Sequence, residues 1–482
     1  MRKCAIVWFR NDLRVHDHEP LAQAAASGLP VVGLYCFDPR QYGKTAYGFP
    51  KTGRHRARFI RESVAVLRTN LNKLGIPLLV RQGRPEEVLT DISASVAISE
   101  LHYHHEWGSE EREAVRFIHA SHPFIRIHVY YGHNLIHPED LPIPVKDMPV
   151  VYSMFRRRVE GAMPVRTMIG IPAPATNHPG FELEEGELPS DNSLGITAEA
   201  CEPAFRGGSH EGRQRLRHYF FDTGRLRVYK DTRNGLLHRD DTSKLSPYLA
   251  HGCLSPRYVY EQVKAAEAEW SGNDSTRLLV AELLWRDYFW LLHGKLGNRI
   301  FSERGLTDYG IPWSRDERLV DAWLNGRTGY PLVDACMTEL RRTGFLSNRG
   351  RQNVASFLTK NLGVDWRIGA EWFESCLIDY DVSLNYGNWC YCSGVGTDHM
   401  PYRVFNVMKQ GREYDPYGQY AKRWLPMLRD VPAEQVYEVH ELTLIEQAAC
   451  GIELGTDYPY PIVDLSASAR DYKDRLHKAM NQ

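Results

Sequence analysis

The stretch Leu346-Ser-Asn-Arg-Gly-Arg-Gln-Asn-Val-Ala-Ser-Phe357, followed by Asp379-Tyr-Asp-Val-Ser-Leu-Asn-Tyr-Gly-Asn-Trp389, decides the reading of this chain. It sets arginines, amides, carboxylates and a tryptophan on segments that otherwise read as buried helix. A protein interior accepts so many polar groups only where a partner satisfies them. A large polar cofactor held inside a helical domain is the simplest partner of that kind.

The surrounding pattern agrees. From about Gly207 onward the chain reads as mostly helical, with candidates at 212–221, 258–267, 275–296, 318–325, 332–342, 352–362 and 371–377. The first part alternates strand and helix instead. Apolar runs Cys4–Phe9, Val31–Phe37, Pro77–Val80, Val96–His104 and Ile125–Tyr131 predict buried strands, and residues 54–74 give the clearest helix between them. Such alternation predicts a doubly wound α/β domain on a parallel sheet. Arg10-Asn-Asp-Leu-Arg14 stands where a Gly-x-Gly-x-x-Gly would follow the first strand, so the ordinary dinucleotide fingerprint is absent. Between the two parts, Pro142, Pro144, Pro149, Pro164, Pro172, Pro174 and Pro179 and the acidic run Glu182–Glu187 mark a long linker with one helix near 152–160. Arg156-Arg-Arg158 on that helix reads as a solvated face. The expected domains are 1–131, 132–205 and 206–482.

The totals bound the function. A formal net charge of −1 over 482 residues predicts no global attraction to nucleic acid, so any DNA contact needs a local basic patch. Nine scattered cysteines without a Cys-x-x-Cys pair argue against a disulfide framework or a cysteine zinc site and for a reducing compartment. No segment suits a membrane span, and a strand begins almost at once, so a cytoplasmic, metal-free protein is expected.

Three segments carry candidate chemistry. Glu282, Trp285, Arg286 and Phe289 share one face of the 275–296 helix, suited to hydrogen-bonding and stacking on a planar heterocycle; taken alone, an ordinary i,i+4 pair of Glu282 and Arg286 beside a core tryptophan is the better account. Asp241-Thr-Ser-Lys-Leu-Ser-Pro247 offers donors to a phosphate, or simply caps a helix. Arg351 is placed to meet a carboxylate, with Asp379 a candidate partner. Trp313, Trp366 and Trp389 read by composition as core residues.

Together these segments resemble the photolyase/cryptochrome family over nearly the whole chain. The matching residues are Val7–Arg14 with Asp17, Glu282–Phe289, Gly329-Tyr-Pro-Leu-Val-Asp334, Asn348-Arg-Gly-Arg351 and Asp379-Tyr-Asp381. His137-Pro-Glu-Asp-Leu-Pro142, Tyr229-Lys-Asp-Thr-Arg-Asn234 and Glu371–Asp379 resemble the family's DASH subgroup. The resemblance implies an α/β antenna domain, a long linker and an all-helical domain holding FAD. It assigns Tyr229, Thr242, Ser243, Lys244, Leu245 and Ser246 to the phosphates and ribityl chain, and Asn348, Arg351, Asp379, Asp381 and Asn385 to the isoalloxazine ring, with Glu282 and Arg286 at the cavity. It assigns Trp389, Trp366 and Trp313 to an electron relay from flavin to surface, and Glu106 to a methenyltetrahydrofolate antenna. The implied reaction is repair of cyclobutane pyrimidine dimers in ultraviolet-damaged DNA by an excited reduced flavin. Glu282 and Trp285 would meet the dimer, and Arg233, Arg286, Asn348 and Arg349 the strand. Tyr391 and Gln352 replace a tryptophan and a methionine of duplex-acting relatives, which implies a preference for single-stranded or looped DNA. A monomer is expected. The alternative implied by the same resemblance is a signalling blue-light receptor with little repair. A six-four photoproduct enzyme ranks below both, with only His399 near the cavity region. Cys390 and Cys392 depart from the family pattern and read as small buried fillers.

Overall fold

The computed structural model describes residues 3–162, 164–174, 183–197, 204–398 and 400–481; Pro179, Glu182 and His399 lie outside the described residues. Five strands appear, β1 (Lys3–Phe9), β2 (Val31–Phe37), β3 (Leu78–Gln82), β4 (Ala97–His104) and β5 (Arg126–Tyr130). They form one sheet in the order β3-β2-β1-β4-β5, every neighbouring pair parallel. The expected doubly wound parallel sheet is therefore present. Helices α1 (Glu19–Ala26), α2 (Arg54–Asn72), α3 (Pro85–Ser95) and α4 (Ser109–Ser121) connect the strands, and α5 (Tyr152–Val159) lies in the linker.

The side-chain period of two explains the layers. Cys4, Ile6 and Trp8 of β1, Val32, Leu34 and Cys36 of β2, and Leu101 and Tyr103 of β4 pack with Val88, Leu89 and Ile92 of α3 and Ala114 and Ile118 of α4. On the opposite face Gly33 lets the sheet approach α2: an added Cβ would stand 2.9 Å from Leu78 and 3.2 Å from Leu71. A bulge re-aims β4, because Cys4 faces Ile98 but Ala5 already faces Glu100.

The loop after β1 is nailed down by a buried guanidinium. Arg14 donates to the carbonyls of His16 (3.1 Å), Asp17 (3.0 Å), Gly132 (3.1 Å) and Gly252 (3.0 Å). Asp17, at φ +49°, pairs with Arg257 at 2.6 Å. This is the physical content of the Arg10–Asp17 motif.

The remainder is helical, as expected: α6 (Ser209–Arg217), α7 (Tyr229–Thr232), α8 (Ser246–Ala250), α9 (Pro256–Trp270), α10 (Asp274–Leu296), α11 (Glu317–Leu324), α12 (Pro331–Thr343), α13 (Asn348–Ser356), α14 (Trp366–Cys376), α15 (Val382–Ser393), α16 (Val407–Tyr414), α17 (Gln419–Trp424), α18 (Leu444–Cys450) and α19 (Leu465–Met480). Two of the expected helices end in π turns, His218–Asp222 after α6 and Phe357–Asn361 after α13. By Cα proximity the chain groups into two compact units. One is Met1–Arg227 with Ser243–Gly297 and Ile378–Leu384; the other is Val228–Thr242 with Asn298–Leu377 and Asn385–Gln482.

Arg156 pairs with Glu160 at 2.6 Å, each side chain about half exposed, so this run is the solvated face the sequence suggests. No helix among the described residues is long and apolar enough to cross a membrane.

Candidate flavin and substrate residues

In the first unit, the end of β4 leads into a buried polar cluster. Glu106 accepts from Asn11 at 3.0 Å and faces Arg10 at 3.4 Å and His133 at 3.8 Å. The Arg10 guanidinium stacks on Trp8 at 4.5 Å and Tyr103 at 5.2 Å. Trp107 packs edge-on against His105 at 4.2 Å and meets Trp290 at 5.3 Å. Gly294 makes room for it, since an added Cβ would stand 2.6 Å from the indole. Glu106 Oε2, Arg10 Nη1, His105 Nε2, Trp107 Nε1 and His133 Nε2 are all buried without a hydrogen-bond partner among the described residues. Burial pushes the Glu106 carboxyl above its usual range despite the pull of Arg10. Burial, then repulsion from Glu106, lifts Glu111 to about 7.

The loop 243–246 is held from two sides of the same unit. Arg215 donates to the Ser243 carbonyl at 2.9 Å, and Ser246 Oγ donates to Asp379 Oδ2 at 2.5 Å. Lys244 adopts φ +55°, a left-handed conformation that a non-glycine residue takes only when its surroundings enforce it. Leu245 is buried, and the Ser246 residue remains exposed. His251 bonds the Ile378 carbonyl at 2.8 Å, which fixes the chain entering Asp379. Asp381 accepts from the Leu384 amide at 3.0 Å and so starts α15.

On α10 the predicted face forms. Glu282 and Trp285 are half-buried and Arg286 is buried. The Trp285 ring stacks on Tyr152 of α5 at 3.4 Å and 13°, with Phe289 at 5.6 Å. The Arg286 guanidinium donates to the carbonyls of His133 and Leu249. Asp287, which sequence reasoning missed, is fully buried and accepts from the Leu135 and Ile136 amides at 3.0 and 2.9 Å. It pins the start of the linker to α10.

The second unit brings another set together. Ser347 caps α13 by accepting from the Gly350 amide at 3.2 Å. Asn348 is exposed at this end. Arg349 donates to Gln352 Oε1 at 3.0 Å and Asn234 Oδ1 at 3.1 Å, and lies over the Tyr414 ring at 4.6 Å. Asn234 and Tyr414 were not foreseen for this group. Arg233 lies over Tyr229 at 5.8 Å, and Thr242 is half-buried. Arg351 donates through Nε to the Leu346 carbonyl at 2.8 Å.

The tryptophans order themselves around α14. Trp366 opens that helix, fully buried; its indole N–H and that of half-buried Trp313 both donate to the Glu303 carbonyl, at 3.1 and 3.4 Å. Trp389 lies against the same helix, where Gly369 admits it: an added Cβ would stand 2.2 Å from its ring. Phe373 and Trp323 flank it at 5.0 and 6.2 Å. Asn385, one turn earlier on α15, donates its amide to the Ala370 carbonyl at 2.9 Å. Cys390 is fully buried with its thiol toward the Ile300 carbonyl at 3.5 Å, the filler role expected of it; Tyr391 and Cys392 are half-buried.

Residues 5–176 match the model of the DNA photolyase domain, and residues 279–478 match that of the FAD binding domain of DNA photolyase. A cryptochrome DASH of Gloeobacter violaceus is 50% identical over 97% of this chain and 94% of its own length; one of Synechocystis sp. is 46% identical over 96% of each. The crystal structure of a Synechocystis cryptochrome superposes with a TM-score of 0.95 at 44% identity, covering 98% of this chain and 99% of that one. A bacterial class III photolyase from Agrobacterium tumefaciens gives 0.87 at 26% identity, over 100% and 98%. With its parallel sheet, its helical FAD-binding domain and relatives of this closeness along nearly its whole length, the chain belongs to the photolyase/cryptochrome family, among proteins named cryptochrome DASH.

Proposed function

We propose that this protein is a light-driven, FAD-dependent photolyase of the DASH type that splits cyclobutane pyrimidine dimers in single-stranded or looped DNA. The likeness to cryptochrome DASH proteins across the photolyase FAD-binding segment carries this reading. The donor chemistry fits the cofactor. The phenol of Tyr229, the hydroxyls of Thr242, Ser243 and Ser246 and the ammonium of Lys244, beside Leu245, suit phosphates and a ribityl chain. Asn348, Arg351, Asp379, Asp381 and Asn385 offer the donors and acceptors that a flavin edge requires. FAD bound there supplies an electron on illumination and recovers it once the cyclobutane ring has opened.

The remaining roles fall to the chain. Asn385, held to the Ala370 carbonyl through its nitrogen, keeps its oxygen for another partner. Trp313, Trp366 and Trp389 pass electrons inward from the half-buried Trp313 to the cofactor. Glu282 hydrogen-bonds the pyrimidine edge, and Trp285 stacks on the dimer, an interaction worth about 1–3 kcal/mol per base. Arg286 braces that helix face through its two carbonyls. Arg233 and Arg349 take backbone phosphates, and Asn348, Gln352 and Tyr391 meet the strand. Gln352 and Tyr391, in place of the methionine and tryptophan of duplex-acting relatives, offset less of the cost of extruding a dimer from duplex, which favours strands already unpaired. Glu106, among buried polar atoms without hydrogen-bond partners among the described residues, holds a methenyltetrahydrofolate antenna. The protein acts as a monomer in a reducing, cytoplasmic setting; the eight described cysteines are all free thiols.

The test is illumination of an irradiated single-stranded oligonucleotide with prereduced protein. Dimers should disappear in light and persist in darkness. Unchanged dimers under light, with flavin bound, would leave the blue-light receptor as the surviving reading.

A further inference from the structure

Strands β4 and β5 carry a second cluster of chemistry-bearing side chains on one face. Their register sets Glu100 beside Arg126, His102 beside His128 and His104 beside Tyr130. Glu100, His102 and His128 each bring one donor atom within 4.8 Å of the others. Glu100 Oε2 lies 3.1 Å from His102 Nε2, close to the spacing of two ligand atoms around one tetrahedral ion with bonds of about 2.0–2.2 Å. The nitrogen of His128, Nε2, is buried and has no hydrogen-bond partner among the described residues. The other carboxylate oxygen, Glu100 Oε1, is engaged by Arg126 at 2.7 Å, an arginine 72% exposed.

We propose that Glu100, His102 and His128 form a binding site for a divalent first-row transition ion of the zinc class. Two imidazoles and one carboxylate are a ligand set such ions accept, with water completing the shell. The tautomer of His102 permits it. Its Nδ1 lies 3.0 Å from the Tyr130 hydroxyl, which accepts a hydrogen bond from the Nδ1–H when the Nε2 lone pair is given to the ion. The nearby Asp12–His18–His104 cluster fails this requirement. There His18 Nδ1 already accepts from the Leu21 amide at 3.1 Å, so its Nε2 must keep the proton it donates to Asp12 at 3.0 Å. The ring of His128 stacks on that of His102 at 4.6 Å and 15°, and a lone pair lies in its ring plane. Binding therefore turns the half-exposed His128 about its Cβ–Cγ bond. The expectation of a metal-free protein rested on cysteine spacing, which cannot report a site built by register between parallel strands.

The flavin-loaded full chain, stripped with a chelator and dialysed, is titrated with zinc chloride against a chromophoric competitor. One equivalent should bind tightly, and His128→Ala and Glu100→Gln should each lose it. Tyr130→Phe should weaken it about tenfold, the cost of losing a partner that orients a ligand. Equal zinc affinity in wild type and in folded His128→Ala would overturn the proposal. Cobalt substitution of the wild type is the second measurement: ligand-field bands without thiolate charge transfer agree with the site, and thiolate bands would assign the ion to cysteines and refute it.

Discussion

Two buried carboxylates of this protein are provided with donors very differently. Asp334, in the helical unit, receives the Thr328 amide (2.8 Å), the Thr328 hydroxyl (2.7 Å), the Gly329 amide (3.0 Å) and the Tyr458 hydroxyl (2.6 Å). Gly329, at φ +79°, lets the backbone curl around it. Glu106, in the α/β-bearing unit, has one amide donor and an arginine, with unpartnered polar atoms around it. Both belong to stretches that resemble the family. A carboxylate with every lone pair engaged holds a turn together; one with fewer donors contributes less to the fold and keeps acceptor capacity, which is what the proposed antenna role of Glu106 would use.

The largest effect expected from this contrast is Asp334→Ala. It strands buried donors, each costing roughly 1–3 kcal/mol, so global stability should fall by about 3–5 kcal/mol in a denaturant melt. A loss below about 1 kcal/mol would break the assignment of this knot to folding. Trp389→Phe comes next. The smaller ring leaves space against Gly369, Phe373 and Trp323, costing about 1–2 kcal/mol. Photoreduction of oxidised flavin should slow sharply while prereduced protein still repairs; equal loss of both would remove Trp389 from the relay. Arg349→Ala opens the group it forms with Gln352, Asn234 and Tyr414. Binding to a dimer-free single strand should weaken, and the slope of log affinity against log salt should fall by about 1. An unchanged slope would mean that Arg349 meets no phosphate.

The same contrast explains what could be read from the sequence. The central strand runs were legible because two-sided burial leaves continuous apolar residues: residues 31–37 emerge, buried throughout, as β2 with both ends as read. Residues 125–131 emerge as β5 one residue shorter at each end but not as the buried strand expected, because β5 is an edge of the sheet and its residues stay exposed or half-buried. Helix α14 begins at Trp366 rather than near Glu371, although its cap is written in Asp365, which accepts from the Arg367 amide at 3.1 Å. The π turns left no periodic signal. At the site, residue identity was legible but the partners were not. Nothing in the spacing of α10 announces that Trp285 stacks on Tyr152, or that Arg286 serves the carbonyl of His133, since both partners arrive from a distant linker. Local pattern reports which face is buried, whereas tertiary contact decides what that face meets.

The smallest effect on stability sharpens the comparison most. Replacing Glu106 by glutamine removes a buried charge that is poorly provided with donors, and the Arg10 guanidinium it leaves keeps the His104 carbonyl and the faces of Trp8 and Tyr103, so stability should change by about 1 kcal/mol, against the several expected for Asp334. The pH dependence gives the sign. Glu111 is lifted to about 7 in the folded chain from an ordinary 4.5. The folded state thus holds its proton more tightly, and the associated stability is full below pH 4.5 and lost as pH rises through about 7. Glu106 contributes to that lift by repulsion, so Glu106→Gln should lower the Glu111 value, and the variant should gain on wild type between pH 5 and pH 8. Paired melts at those two pH values measure it. The variant should also purify with its flavin bands intact and without a separate near-ultraviolet band. A retained band would show that the antenna needs no carboxylate here; a variant destabilised as severely as Asp334→Ala would show that the cluster around Glu106, too, is a part of the folding core.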